Sequence, residues 1–209
     1  SGLDKSRYRS VMCGVDQGGA LEPEISRRQI PYHILHRRNG IDFKLFWRMF
    51  RLLRQEQVEV IHTHHFNQLF YSLPAARLLG IRVIHTEHSV EAYKKRRLRI
   101  ALRLMSFFCH KVTAIGADGE STLLNKVGIS RRKLTVIRAA VDLKRFNVDP
   151  SQARKTLGLG EQDRVVSIVA RLYPEKRHEL LLRAFSRVMT EVPHAKLLIV
   201  GDGIEKKKI

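Results

Sequence analysis

The sequence predicts a doubly wound α/β fold built on parallel sheets, and three observations carry that prediction. Apolar, β-branched runs of strand length recur along the 209 residues, as at 165–170 and 195–200, and have the composition of strands buried on both faces. Segments with apolar residues at helical spacing lie between the runs; after residue 178 they are Leu181, Leu182, Phe185 and Val188. Strands and helices alternate instead of forming hairpins, and that alternation calls for crossovers between parallel neighbours.

Residues 1–10 read as the end of a helix and a turn, and 9–15 as a strand. A turn at 17–24, made possible by Gly18 and Gly19, leads into a short helix, and 32–35 form the next strand. The two glycines lack GxGxxG spacing and read as loop chemistry. Phe43, Phe46, Trp47, Phe50, Leu52 and Leu53 mark a helical core face, with Lys44, Arg48, Arg51 and Arg54 opposite. A strand at 58–62 runs into the polar cluster His62-Thr-His-His65. A helix at 67–79 closed by Gly80 and a strand at 81–85 follow.

Residues 91–110 read as one long helix. Leu98, Ala101, Leu102, Met105 and Phe108 form its apolar stripe, Ile100, Leu104 and Phe107 widen it, and Arg96, Arg99 and Arg103 run along another side. Such a helix can pack on the domain with solvated cations, lie on an anionic membrane, or do both. A strand at 111–115, a helix at 118–127 closed by Gly128 and a strand at 134–136 complete a first domain, expected to span 1–147 as one parallel sheet. A polar linker at 148–163 precedes a second domain from 164 to 209.

Composition bounds the function. A hydrophobic fraction of 44% supports real cores, and the formal charge of +19 points to a polyanionic partner, an acidic membrane or a nucleic acid. The chain carries no helix-turn-helix, zinc-finger or RNP-like signature, so nucleic acid is not the expected partner. Cys13 and Cys109 lack CxxC spacing, which makes a reducing cytoplasm the simplest setting. No apolar run reaches the roughly 18 residues of a membrane span, and no signal peptide is read at the start.

Ligands in open parallel sheets bind at the carboxyl ends of the strands. Two such ends carry histidines: His62, His64 and His65 after one strand, and His85 and His88, with Thr86 and Glu87 between them, after the next. These residues suit a substrate cleft, polar caps on strand ends, or a zinc or iron site, although HxHH with HTEH is no specific metal signature. In the second domain, Arg171 and Lys176 lie on the short loop between the strand at 165–170 and the following helix. A helix N-terminus beside two cations can seat an anion; an ordinary βα unit with two solvated cations is the alternative.

The stretch VARLYPEKRHELLLRAF resembles the GRLxxxKG…LLxAF signature of retaining glycosyltransferases of family 4, with Ala170 and Arg177 where the family usually has Gly. The segment from Val136 to Phe146 is similar to the family's VIPNGVDxxxF, with Arg138, Ala139 and Ala140 in place of Pro, Asn and Gly. Gly201-Asp202-Gly203 matches the family's VGDG. The resemblance implies a GT-B fold of two Rossmann-like domains and transfer of a sugar from a nucleotide-diphosphate donor with retention. It implies that Arg171 and Lys176 contact the donor diphosphate, that Gly201, Asp202 and Gly203 form a nucleotide-side loop, and that His88 is the active-site imidazole. His62, His64 and Glu87 are the accompanying cleft candidates. The donor is a substrate, and neither a cofactor nor a metal is expected, because two cations can meet the diphosphate and no DxD-like pair is present. The expected partners are the nucleotide-sugar, a glycan or lipid-linked acceptor and an anionic membrane surface, in the cytoplasm or on the inner face of the cell membrane. The resemblance further implies a chain truncated at both ends, lacking the family's first strand and its acidic EX7E segment, and therefore inactive alone.

Overall fold

Parallel strand ladders and the helices that cross between them build the fold. The computed structural model describes residues 3–19, 21–88, 91–147 and 149–209. The chain divides into two compact units, Ser1–Ala140 and Val141–Ile209.

In the first unit, β1 (Met12–Gly14) and β2 (Tyr32–Ile34) pair in parallel around α1 (Glu22–Arg27). Pro23 stands in the first turn of α1, where a missing N–H forfeits no helical bond. After α2 (Phe43–Gln55), the strands β3 (Val60–His64), β4 (Arg82–Glu87), β5 (Lys111–Ala114) and β6 (Leu134–Val136) form a parallel sheet in chain order. The crossovers are α3 (His65–Leu78), α4 (Arg96–Ser106) and α5 (Ala117–Ser121), the last continuing as a π-helical turn over Thr122–Val127. The expected single sheet through residue 137 is instead two ladders, and among the described residues no backbone pairing joins β1–β2 to β3–β6. Side chains join them: Val15 and Leu35 share one apolar cluster with Leu45, Met49, Leu69 and Val83.

Two helices differ from the sequence expectation, each for a reason of phase. In α2 the core face is Leu45, Met49, Leu52 and Leu53, while Phe43 is 78% and Trp47 62% exposed. At about 100° per residue the aliphatic positions form one line and Phe43, Phe46, Trp47 and Phe50 a second line rotated from it, and only the aliphatic line is fully buried. Phe46 packs at the edge of the core against Phe70 and Tyr71, with ring centroids 5.5 and 5.0 Å away, and Trp47 stacks on Phe50 at 5.4 Å. Asp42 fixes the start of α2. Its buried carboxylate accepts from the Leu45 N–H at 3.2 Å and from Arg48 Nη2 at 2.6 Å.

The long helix expected at 91–110 is broken at Lys95, whose extended backbone separates a 3₁₀ turn at Glu91–Lys94 from α4. Leu102 and Ser106 face the core and Leu98, Ala101 and Met105 lie at its edge. Ile100, Leu104, Phe107 and Phe108 are exposed, so the apolar stripe is wider than the surface available to cover it.

In the second unit, α6 (Pro150–Thr156) is capped by Asp149, which accepts from the Ser151 N–H at 2.9 Å. β7 (Arg164–Val169), α7 (His178–Glu191) and β8 (Ala195–Val200) form a parallel βαβ unit around Leu172, His178, Phe185 and Ala195. β7 and β8 are not buried on both faces as their composition predicts, for Val166 and Val169 are exposed. Val166 and Val169, three positions apart, point to opposite faces, so neither face of this two-stranded sheet is fully covered.

Candidate functional site

The histidine cluster of the first unit follows from strand register. In the β3–β4 ladder His62 lies opposite Ile84, Thr63 opposite His85 and His64 opposite Thr86. Side chains alternate along a strand, so His62, His64 and Thr86 share one face while Thr63, His85 and Glu87 point to the other. The hydrogen bonds obey that alternation. His62 Nε2 is 2.7 Å from Thr86 Oγ1, and His64 Nδ1 is 2.7 Å from Nε2 of His88, just beyond the end of β4. On the opposite face His85 is fully buried, with its Nδ1 2.9 Å from Thr63 Oγ1. The structure thus brings His62, His64 and His88 to one carboxyl edge. Ser89, which follows the HTEH stretch, lies outside the described residues.

Glu87 is the buried centre of this edge. Its carboxylate accepts from the Tyr93 hydroxyl and, at 3.1 Å, from the His88 N–H, and it lies 3.7 Å from His65 Nδ1 and 3.5 Å from His85 Nε2. His65 reaches it from a left-handed backbone with φ of 66°, uncommon for a residue other than Gly and placed where the strand turns abruptly into α3. Burial pushes the His62 imidazole below its usual pKa, helped by the charges of His85 and His88. Burial acts the same way on His64, with His62 and His88 adding to it. Burial, then the bond to Glu87, pushes the Tyr93 phenol far up, so it stays a donor. Glu87 and His88 form one wall of a cavity of about 410 Å³ whose other wall is residues 115–119, leading into the first turn of α5 and including Asp118. Among the described residues no three His, Cys, Asp or Glu side chains converge to hold a metal ion.

Two loops meet at the carboxyl ends of β7 and β8 in the second unit. The Ala170 N–H bonds the Val200 carbonyl at 3.0 Å, the Leu172 N–H bonds the Asp202 carbonyl at 2.9 Å, and the Glu205 N–H bonds the Leu172 carbonyl at 3.1 Å. Gly201 and Gly203 allow this approach, since a Cβ on them would lie 1.9 Å from the Ala170 oxygen and 2.4 Å from the Leu172 oxygen. Arg171 is exposed, stacked 4.6 Å from the Tyr173 ring centroid with its Nη2 3.3 Å from Glu175. A 3₁₀ turn at Pro174–Lys176 and a left-handed Arg177 with φ of 52° then carry Lys176, also exposed, to the start of α7. The Asp202 carboxylate accepts from the Gly203 N–H at 2.8 Å. That bond, then the Lys206 charge, holds it below the usual carboxylate range.

Two buried polar residues, Tyr93 at the Glu87 edge and His178 in the core of the second unit, were not among the predicted site residues. Tyr93 lies on the 3₁₀ turn, where no periodicity marks it. His178 is fully buried, with neither ring nitrogen hydrogen-bonded among the described residues. Its signal was its spacing from Leu181, Leu182 and Phe185, which sets it on the apolar face of α7.

Residues 1–145 match the family model described as Glycosyltransferase Family 4, and residues 149–209 match that described as Glycosyl transferases group 1. The chain is 26% identical over 174 residues to the UDP-Gal:alpha-D-GlcNAc-diphosphoundecaprenol alpha-1,3-galactosyltransferase of Escherichia coli, covering 78% of this chain and 45% of that protein. It is 25% identical over 182 residues to the phosphatidylinositol N-acetylglucosaminyltransferase gpi3 subunit of Schizosaccharomyces pombe, covering 83% of this chain and 38% of that one. The chain therefore spans less than half the length of these relatives. Its backbone resembles that of Anabaena Alr3699/HepE in complex with UDP and glucose, with a TM-score of 0.76 at 18% identity over 94% of this chain and 55% of the other. The fold is GT-B-like, with Rossmann-like parallel sheets.

Proposed function

The chain belongs to the glycosyltransferases of family 4, and from that membership we propose that it forms part of an enzyme moving a sugar from a nucleotide-diphosphate donor to an acceptor with retention. The carrying observation is the pair of exposed cations, Arg171 and Lys176, on a loop that backbone bonds hold against Gly201–Gly203 at the strand ends. Arg171 can grip two phosphate oxygens and Lys176 adds a point charge, so both meet the negative charge that grows on the departing diphosphate. Gly201, Asp202 and Gly203 take the nucleotide side. His88 contacts the sugar or the acceptor, with His62, His64 and Glu87 around it.

The names of the relatives support the substrate class: the Escherichia coli enzyme is named for a UDP-sugar and a diphosphoundecaprenol acceptor, the yeast one for phosphatidylinositol. We therefore assign a nucleotide-sugar donor and a lipid-linked or glycan acceptor. Calorimetric titration of UDP into the chain should give saturable binding that weakens with salt and is competed by inorganic pyrophosphate. Binding that pyrophosphate leaves untouched would remove the diphosphate from the Arg171–Lys176 loop.

A lipid-borne acceptor requires access to a membrane, and we place the chain on the cytoplasmic face of one. No helix among the described residues is long and apolar enough to cross it. Ile100 and Leu104 of α4 and Phe107 at its C-cap, exposed at i, i+4 and i+7, stand among the exposed Arg96, Arg97 and Arg103, and Phe43 and Trp47 of α2 stand beside the exposed Lys44 and Arg51. Apolar side chains flanked by cations suit the headgroup region of an anionic bilayer, where each cation contributes about 1 kcal/mol. Exchanging Arg96, Arg97 and Arg103 for Gln should weaken sedimentation with phosphatidylserine vesicles roughly 10- to 100-fold at low salt. Unchanged sedimentation would return α4 to a purely structural role.

A further inference from the structure

The contact between His64 and His88 goes beyond placing two histidines in one cleft. His64 Nδ1 and His88 Nε2 are 2.7 Å apart, a full hydrogen bond between two imidazoles. Two ring nitrogens at that distance share one hydrogen, so one ring must donate and the other accept. The bond couples the two tautomers while both rings are neutral: if His64 donates from Nδ1, His88 carries its hydrogen on Nδ1, and if His88 donates from Nε2, His64 carries its own on Nε2. Ring stacking supports the geometry: the His64 centroid is 5.0 Å from that of His88 and 4.3 Å from that of His62.

We propose that His64 is a positioning residue for His88, engaging Nε2 so that Nδ1 alone remains to meet a ligand in the cavity bounded by Glu87 and residues 115–119. The inference rests on the proposed contact of His88 with sugar or acceptor for its functional meaning, but the tautomer it predicts stands without it. A free imidazole exchanges its hydrogen between two nitrogens and presents either to a ligand; a tethered one presents a fixed face at a fixed angle. The Glu87 carboxylate reinforces the tether by accepting from the His88 backbone N–H. Burial, and then the neighbouring imidazoles, lower the pKa of His64 and disfavour a proton on its own ring. The titratable groups beside the pair are His62 from β3 and His65 from α3, with Asp118 of α5 across the cavity, while His85, Glu87 and Tyr93 bond one another on the sheet's other face and Glu87 reaches His88 through its backbone N–H.

The test reads the ring directly. Long-range ¹H–¹⁵N correlation spectra of the ¹⁵N-labelled chain should show His88 in one fixed tautomer at neutral pH. His64→Leu should return it to the tautomer mixture of a free imidazole, and His64→Asn, which keeps a hydrogen-bonding group near the same place, should restore part of the bias. His88 spectra identical in wild type and His64→Leu would overturn the proposal and leave the reading of sugar transfer standing. Should His64→Leu fail to fold, His64→Phe, which keeps a ring of similar bulk without a nitrogen, decides: His88 spectra identical to wild type in that variant also overturn it. In the whole enzyme, His64→Leu should shift the acidic limb of the kcat–pH profile, whereas a structural role alone would lower the rate equally at every pH. Loss of donor binding in wild type would count against the transfer reading and leave the tautomer result untouched.

Discussion

In the whole enzyme, Arg171→Ala and Lys176→Ala should each lower kcat/KM for the nucleotide-sugar by on the order of 10²–10³, the usual cost of removing one electrostatic donor aimed at developing charge. Much of the loss should fall in kcat, because the diphosphate is most negative as the glycosidic bond breaks and interactions that strengthen there accelerate the step. The local geometry favours such a role. The contacts of Arg171 are an exposed pair with Glu175 at 3.3 Å and the face of Tyr173. An exposed pair of this kind contributes little, so the guanidinium can turn to an incoming anion at small cost, while the aromatic face limits where it can go. Arg171→Lys should not restore the rate, since a point charge cannot reproduce a two-point grip. Steady-state kinetics on the single and double variants decide the matter, and a double variant with wild-type kcat/KM would remove both cations from the donor site.

The sequence made the alternation of elements legible because period and turn chemistry are local. Gly80 and Gly128 close their helices with positive φ where the sequence places them, and the strand edges carrying His62, His64 and His88 fall together because parallel register brings them there. What escaped reading was non-local. Nothing within α2 says whether its aliphatic or its aromatic line is buried, and the aliphatic line is, leaving Phe46 at the core's edge and Trp47 outside. The exposure of Val166 and Val169 depends on what covers the sheet, which strand composition does not record. Tyr93 joined the site through a hydrogen bond to Glu87 from a turn that carries no motif. Gly201 and Gly203 were legible, through the family resemblance, as part of a nucleotide-side loop, and the structure adds a protein partner for that loop in the carbonyls of Ala170 and Leu172.

That partner makes a separate result expected from Gly201→Ala and Gly203→Ala. Both glycines have a φ of 159°, a backbone that L side chains rarely adopt, and the atoms their Cβ would strike are carbonyl oxygens, which cannot swing aside as a side chain can. To admit a methyl group, the Gly201–Gly203 loop must move off the Ala170–Leu172 loop, breaking the bond from the Leu172 N–H to the Asp202 carbonyl. Overpacking and backbone strain together should destabilise the second unit by roughly 2–5 kcal/mol. Thermal unfolding should show the loss in either variant, and hydrogen exchange should show the Leu172 amide losing protection. Donor binding should weaken with it, because Arg171 lies inside the displaced loop. Two roles for these glycines are thereby separated. If they served only to let a nucleotide come close, each alanine would weaken donor binding while stability and Leu172 protection stayed at wild-type values. That outcome would overturn the account in which backbone approach between the two loops builds the platform for the cations.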